Sequence, residues 1–505
     1  MIFARPWSKL VGFGHVFLNF ILLTAPANAQ HTVNLTWDAS ASQIIGYNIY
    51  RGNSPNPPYK KLNSAPNVPT NYSDTTAQGG HTYYYAATSV AQDGTESKYS
   101  NLGTATIPVG GAGTENALYS FTGSGGDPKL PYAGLVFDAA GNIYGTTELG
   151  GTYNQGTVFE VVPSSDGTWT ESVLYNFTGD TDGGQPNGSL IFDAAGNLYG
   201  TTSFGGSSNC TQGCGTVFKL TPASGGWSES VLYTFTGGAD GREPYSRLQF
   251  DAAGNLYGTT LLGGNIGTVC TTGCGTVFEL KPSSGKTWKQ SVLYAFAGAA
   301  DGAMPTAALT FDTAYNLYGT ASAGGSGSGV IYKLTPGSGG TWKQSVLHTF
   351  SGGYDGKTPY GDLILGASGN LYGTAYQGGV APGYGVVFQL SLTSKGWRER
   401  LLHVFYNAPA ASPVAGLVMD PTGSLFGTTM LGATRTACGG GCGNLFKLAP
   451  SSGGGWTYSL IHTFGKNSDG HRPTGDLILD TVGNIYGTTQ AGGINGAGMV
   501  FQILH

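Results

Sequence analysis

Repetition constrains this chain more than any other feature. The stretch Gly196-Asn197-Leu198-Tyr199-Gly200-Thr201-Thr202 is written seven times in near-identical form, and everything after residue 116 aligns on it. Its tyrosine falls at Tyr144, Tyr199, Tyr257, Tyr318, Tyr372 and Tyr486, with Phe426 in its place once, so the gaps run 55, 58, 61, 54, 54 and 60 residues. A period of that size exceeds a solenoid repeat and suits a four-stranded propeller blade. Seven copies therefore predict one closed all-β unit.

Composition agrees with short strands and tight turns. The 505 residues include 86 glycines, and only 10% are charged, while 29 tyrosines and 23 phenylalanines supply apolar area for a core. A formal net charge of −5 with no basic cluster argues against nucleic acid as a partner.

The first 29 residues read as an export signal. Arg5 and Lys9 open it, Val11 to Leu23 is mostly apolar, and Ala27-Asn28-Ala29 offers a small-x-small cleavage site. An uncleaved anchor is the alternative, against which Gly12, Gly14, His15 and Asn19 interrupt a run already short for a span. No second apolar segment follows, so the mature chain is expected to lack a membrane span and to lie outside the cytoplasm. Six cysteines fit that address: they occur only as the C-x-x-x-C pairs Cys210/Cys214, Cys270/Cys274 and Cys438/Cys442, and local disulfides are the simplest pairing. Zinc is the sharper alternative, but each pair supplies two ligands at a separate place where a site needs four.

Residues 30–108 read as a small β-sandwich. Val33 to Trp37 and Ile45 to Arg51 alternate as strands, and Gly80 to Ala87 carries the run Tyr83-Tyr84-Tyr85. With Trp37 as a core tryptophan, the segment resembles a fibronectin type III domain, which implies a spacer or adhesive module. A Gly-rich linker spans 109–116, and the expected propeller spans 117–505.

Four strands are expected in each repeat. In the second they are Leu190-Ile191-Phe192, then Asn197 to Thr202 after the turn Asp193-Ala194-Ala195-Gly196, then Gly215 to Leu220, then Val231 to Phe235. The long Asp-Gly-x-x-Pro loop after Phe235 marks the crossing to the next blade. On that phase Ala117-Leu118-Tyr119-Ser120-Phe121 is an orphan outer strand that pairs with the last repeat and closes the ring, removing exposed edges. The opposite phase, with Ala117 starting a complete first blade, also satisfies the edge rule.

The inter-blade loops and the variable Gly-rich loops are expected on one face, where repeats differ and binding usually resides. The candidate binding residues there are Tyr153, Asn154, Asp182, Asp240, Arg242, Glu243, Asp301, Asp355, Tyr360, Arg435, Asp469, His471 and Arg472. A turn role competes for the Asp-Gly aspartates, since a lone Asp-Gly lacks the clustered oxygens of a calcium site. Asp138, Asp193, Asp251, Asp312, Asp420 and Asp480 read as turn caps. His348, His403 and His462 replace tyrosines of the fourth strand and read as packed or edge residues. Ser164 to Trp169 looks like the Asp-box turn of sialidases, which is structural in those enzymes. No nucleophile motif, zinc helix motif or phosphate loop is present, so no catalytic residue, metal or cofactor is assigned.

The whole unit, Leu190 to Thr202 followed by Gly215 to Leu220, resembles the GloVer tandem-repeat family of bacterial extracellular proteins. Surface anchors are implied by that family's choice-of-anchor label. This chain ends on a strand at His505 with no sorting tail, which favours secretion or attachment through a partner. The expectation is a monomeric, secreted or surface, non-catalytic propeller binding an extracellular glycan or protein through its loop face. A carbohydrate-active enzyme using loop or axial carboxylates, and a purely structural surface component, are the readings left open.

Overall fold

The computed structural model describes residues 18–22, 30–40, 44–78, 82–106, 115–164, 168–284, 287–381, 383–406, 410–432, 438, 441–465 and 469–504. The chain divides into two compact units, one chiefly of residues 1–114 and one of residues 115–480 and 485–502. No helix among the described residues is long and apolar enough to cross a membrane.

The first unit is built of two antiparallel sheets. One pairs Gln30–Trp37 with Asn71–Gln78, and the other orders Lys60–Lys61, Gly46–Gly52, Thr82–Val90 and Gly103–Thr106. Alternation puts Val33, Leu35 and Trp37 of the first sheet against Tyr47, Ile49, Tyr83 and Tyr85 of the second in one core. Trp37 meets Tyr47 edge-on at 5.2 Å. Within the expected leader, Leu18–Leu22 lies on the open edge of Gln30–Trp37, with Leu18 opposite Trp37. Residues 1–17, 23–29 and 107–114 lie outside the described residues; of the expected linker at 109–116, the last two residues instead begin the strand Glu115–Ser120.

The second unit holds, among the described residues, seven antiparallel sheets of one plan. In the second sheet the strands are Ile191–Phe192, Leu198–Thr202, Thr216–Ala223 and Gly226–Thr234, each paired with the next along the chain. The third sheet adds a short strand, Arg242–Pro244. The seventh takes Ile478–Leu479, Ile485–Thr489 and Met499–Ile503 from the end of the chain and completes itself with Glu115–Ser120.

Each motif residue has a structural partner. Asp193 Oδ1 accepts the Ala195 and Asn197 amides, while Oδ2 accepts Asn197 Nδ2 at 2.7 Å and the Tyr199 hydroxyl at 3.0 Å, so one carboxylate ties the hairpin to the strand it starts. Gly196 turns that hairpin at φ 80°. Gly200 lies under Phe218 of the neighbouring strand, where an added Cβ would stand 2.6 Å from the ring. Thr202 Oγ1 meets Thr216 Oγ1 at 2.8 Å.

The remaining contacts run between sheets. The Tyr199 ring packs edge-on against Phe250 and Trp288 of the third sheet at 5.1 and 6.4 Å. Thr201 donates to the Ser246 carbonyl, and its equivalents Thr146, Thr259 and Thr374 reach Gly188, Ala307 and Ala415 of the following sheets. Thr310 spans the fourth and fifth sheets to Leu363, and Gly416 N spans the sixth and seventh to Asp476. Thr488 of the seventh sheet then donates to Ala133 of the first at 2.9 Å, so the chain of contacts returns to its start.

Candidate functional site: a central cavity and inter-sheet niches

The first, two-residue strand of each sheet follows a proline, and the residues just after those prolines converge. Tyr132, Asn187, Tyr245, Thr306, Tyr360, Val414 and Thr474 line a cavity of about 510 Å³, together with Tyr376 and Met304. Tyr132 meets Tyr245 edge-on at 5.9 Å, and Tyr360 meets Tyr376 at 5.7 Å. Tyr360 and Met304 are exposed at the rim.

Two residues further along each copy, the repeat carries Gly134, Ser189, Arg247, Ala308, Asp362, Gly416 and Asp476. The polar members bind backbone of the preceding sheet: Ser189 Oγ accepts Gly134 N at 2.9 Å, Asp362 Oδ1 accepts Ala308 N at 2.6 Å, and Asp476 Oδ1 accepts Gly416 N at 2.6 Å. Arg247 Nη2 lies 3.4 Å from Asp362 Oδ2. Gly416 separates the two aspartates, and an added Cβ there would stand 3.0 Å from both. Asp476 lies deep in the unit while facing the cavity. Burial, then the charge of Asp362, pushes its carboxyl up to about 7, against the partly compensating Arg247, and a hydrogen bond to Asp362 favours the protonated form. Between the usual carboxylate range and about pH 7, then, Asp476 keeps its proton in the native chain.

At the cavity end of each inter-sheet loop the backbone adopts an unusual form. Leu130, Gln185, Glu243, Met304, Thr358, Ser412 and Arg472 all precede a proline and all take φ between 53° and 63°. Their amides are tied to the loop of the preceding sheet, which holds the strain in place. In three copies the acceptor is a cystine carbonyl: Glu243 N to Cys214 O at 2.9 Å, Met304 N to Cys274 O at 2.8 Å and Arg472 N to Cys442 O at 2.8 Å. The disulfides Cys210–Cys214, Cys270–Cys274 and Cys438–Cys442 therefore brace the next sheet's strained residue.

A second recurring site lies between neighbouring sheets. Here the fourth-strand Tyr or His, the Asp of the Asp-Gly loop and one residue from the next sheet's fourth strand meet. Tyr175, Tyr233 and Tyr294 donate to Asp182, Asp240 and Asp301 at 3.1, 3.0 and 2.9 Å. The next sheet adds Glu229 to the first, while Gln290 and Gln344 donate to the Asp240 and Asp301 carbonyls. In the fourth niche His348 replaces tyrosine, its Nε2 3.5 Å from Asp355 and 4.0 Å from Glu399. In the sixth, His462 Nε2 lies 3.6 Å from Glu115 and 3.7 Å from Asp469. Burial first, then the facing aspartate, pushes Glu229 up to about 7, Glu399 to about 8 and Glu115 to about 9.

The residues singled out from sequence thus fall in several places. Tyr360 lines the cavity. Asp182, Asp240, Asp301, Asp355 and Asp469 sit in the niches; Asp240, for example, accepts the Thr236 amide and hydroxyl at 2.8 and 2.6 Å, capping its own loop. Arg242 pairs with Glu243 at 3.3 Å. Tyr153 stands exposed, and Asn154 accepts the Gly150 amide within a turn. His471 lies in a short strand paired with Ala491, beside the exposed Arg472. Arg435 lies outside the described residues. Sequence reasoning missed Arg247, Asp362 and Asp476; the signal was a charge appearing in three copies of an otherwise small position. His348 and His462, read as packed or edge residues, face Asp355 and Asp469 seven residues on in their own following loops, and Glu399 and Glu115 from other strands, which no single copy reveals.

Cyclic contacts among seven like sheets, with variable residues gathered at a central cavity, define an all-β repeat protein. The sequence profile of the Gloeobacter/Verrucomicrobia repeat matches residues 71–328 and 316–504, and the chain belongs to that family. None of the curated proteins matches it. Among solved structures, a Fn3-like protein from Clostridium thermocellum is 28% identical, over 19% of this chain and 93% of that one, at a TM-score of 0.16. An endo-arabinase from Bacteroides thetaiotaomicron is 12% identical, over 58% of this chain and 99% of that one, at a TM-score of 0.29. A protein of a domain family of unknown function from Bacteroides caccae is 9% identical, over 76% and 95%, at a TM-score of 0.26.

Proposed function

We propose that this is an exported, non-catalytic binding protein whose repeats form a seven-bladed propeller behind a fibronectin type III-like module, and that it holds a glycan at the central cavity. The observation that carries the reading is that cavity: about 510 Å³, within the range of small-molecule sites, edged by four tyrosines and floored by Arg247 and Asp362. Tyrosine offers a flat apolar face to a sugar ring and a hydroxyl to its edges, and the charged floor supplies both donors and an acceptor. A recess suits a glycan terminus better than a protein surface does. The local disulfides fit an oxidising, extracellular address.

Hydrolysis is the second reading, because two carboxyls do share the cavity. Their geometry disfavours it: glycosidases hold the pair ~5 to 9.5 Å apart around the scissile bond. Asp476 and Asp362 instead flank the bare Cα of Gly416, close enough for the charge of one to raise the other, and each accepts a backbone amide. The test is a panel of immobilised glycans and polysaccharides probed with the purified chain, scored for retention and for released product. Retention without product, lost in Tyr245→Ala and kept in Tyr153→Ala, is the expected result. Product release would establish the enzyme instead, and retention that depends on Tyr153 but not Tyr245 would move the ligand to the outer loops.

A further inference from the structure

Two of the inter-sheet niches differ from the others in chemistry as well as in residue type. In both, an imidazole and two carboxylates converge from two sheets, and their three candidate ligand atoms lie within 4.8 Å of one another. Where tyrosine occupies the position, it donates a hydrogen bond to the aspartate. Unmatched carboxylate oxygens occur in the tyrosine niches too, as at Oε1 of Glu229 and Oδ1 of Asp301, but in the two histidine niches a ring nitrogen joins them: Nε2 of His348 with Oε1 of Glu399, and Nε2 of His462 with Oε1 of Glu115 and Oδ1 of Asp469, are all buried without a hydrogen-bond partner. The Nε2-to-carboxylate separations of 3.5 to 4.0 Å are long for a hydrogen bond. They are close to the ~3.3 Å that separates ligand atoms in a tetrahedral shell with ~2.0 to 2.1 Å bonds.

We infer that His348, Asp355 and Glu399 form one divalent transition-metal site, and His462, Asp469 and Glu115 a second. One nitrogen and two oxygens suit zinc or a neighbouring first-row ion better than calcium, which takes six to eight oxygens. Each ion would join two sheets. The second joins the sixth sheet to Glu115, on the strand from the start of the unit that completes the seventh, so it would clasp the closure. The third histidine of this series marks the contrast: His403 stacks on Tyr458 at 4.0 Å, and no cation is inferred there.

The test is equilibrium dialysis of the tag-free full chain against zinc, with bound metal counted per chain. Two ions are expected for the wild type, one each for His348→Tyr and His462→Tyr, none for the double variant, and two for His403→Tyr. Tyrosine is the residue of the sister niches at Tyr175, Tyr233 and Tyr294, so these variants retain a local arrangement the chain already builds. If either fails to fold by thermal melting, Glu399→Gln and Glu115→Gln give the same readout, glutamine being the sister residue at Gln290 and Gln344. A wild type that retains no zinc, or variants folded like the wild type whose zinc count does not fall, would overturn the assignment.

Discussion

Asp476→Asn isolates one proton at the floor of the cavity. The wild-type carboxyl, ordinarily near 3.8, is pushed up to about 7 by burial and by Asp362. Native chain thus keeps a proton that the unfolded chain has released at any pH between these values. The stability associated with this group is full in acid and falls as pH rises through about 7. A shift of roughly three units corresponds to a ceiling of ~4 kcal/mol. Because the side chain faces a solvent-accessible cavity, screening reduces the expected effect to ~1–2 kcal/mol. Asparagine keeps an oxygen to accept Gly416 N and gains an amide to donate to Asp362, and it has no charge to desolvate. Urea unfolding at pH 4 and pH 8 should therefore give equal midpoints for variant and wild type in acid, and a variant more stable by ~1–2 kcal/mol in base. An advantage of the same size at both pH values, or confined to pH 4, would refute the retained-proton account. Other buried acids, among them Glu399 and Glu115, titrate identically in both proteins and cancel from the comparison.

Two further expectations concern the scaffold. In Gly258→Ala the new methyl would stand 2.6 Å from Phe278 Cζ and 3.0 Å from Leu248 Cδ2, so overpacking should cost ~1–3 kcal/mol, and adding Phe278→Leu should recover part of it. A single variant as stable as the wild type in urea would show that the glycine is not there for space. Replacing Cys210 and Cys214 together by serine opens a loop of only a few residues and should lower global stability by no more than ~2 kcal/mol. The larger effect should be local, as faster amide exchange at Glu243, whose N–H is held by the Cys214 carbonyl; unchanged exchange there would remove the bracing role.

The fold was legible because the repeat motif is self-contained. Asp193, Gly196, Asn197, Tyr199 and Gly200 find their polar partners or packing space within their own hairpin or on the adjacent strand, a few residues apart in most cases. Such short-range chemistry leaves a regular trace, and seven copies amplify it. The strand order and the turn role of the aspartates follow from reading one copy closely.

The sites are of another kind, because no single copy contains one. Asp362 and Asp476 meet across the sixth sheet although 114 positions apart in the chain (476 − 362), and Glu115 reaches His462 only because the first strand of the unit completes the last sheet. Both are visible only down the columns of the aligned repeats, where a position that is small in four copies turns charged in three, or where His replaces Tyr opposite a Glu. The inter-sheet and Gly-rich loops drew notice because the copies differ there, and the Asp-Gly aspartates take the turn role weighed for them while also facing the niches. Variation on a fixed backbone is the more telling signal: Asp362 and Gly416 occupy equivalent places, so the carboxylate of one and the bare Cα of the other are a choice about what the cavity meets, not about how the strand folds. If the D476N experiment shows the retained proton, the same column-wise comparison becomes the natural guide to which copies of the repeat carry function and which only close the ring.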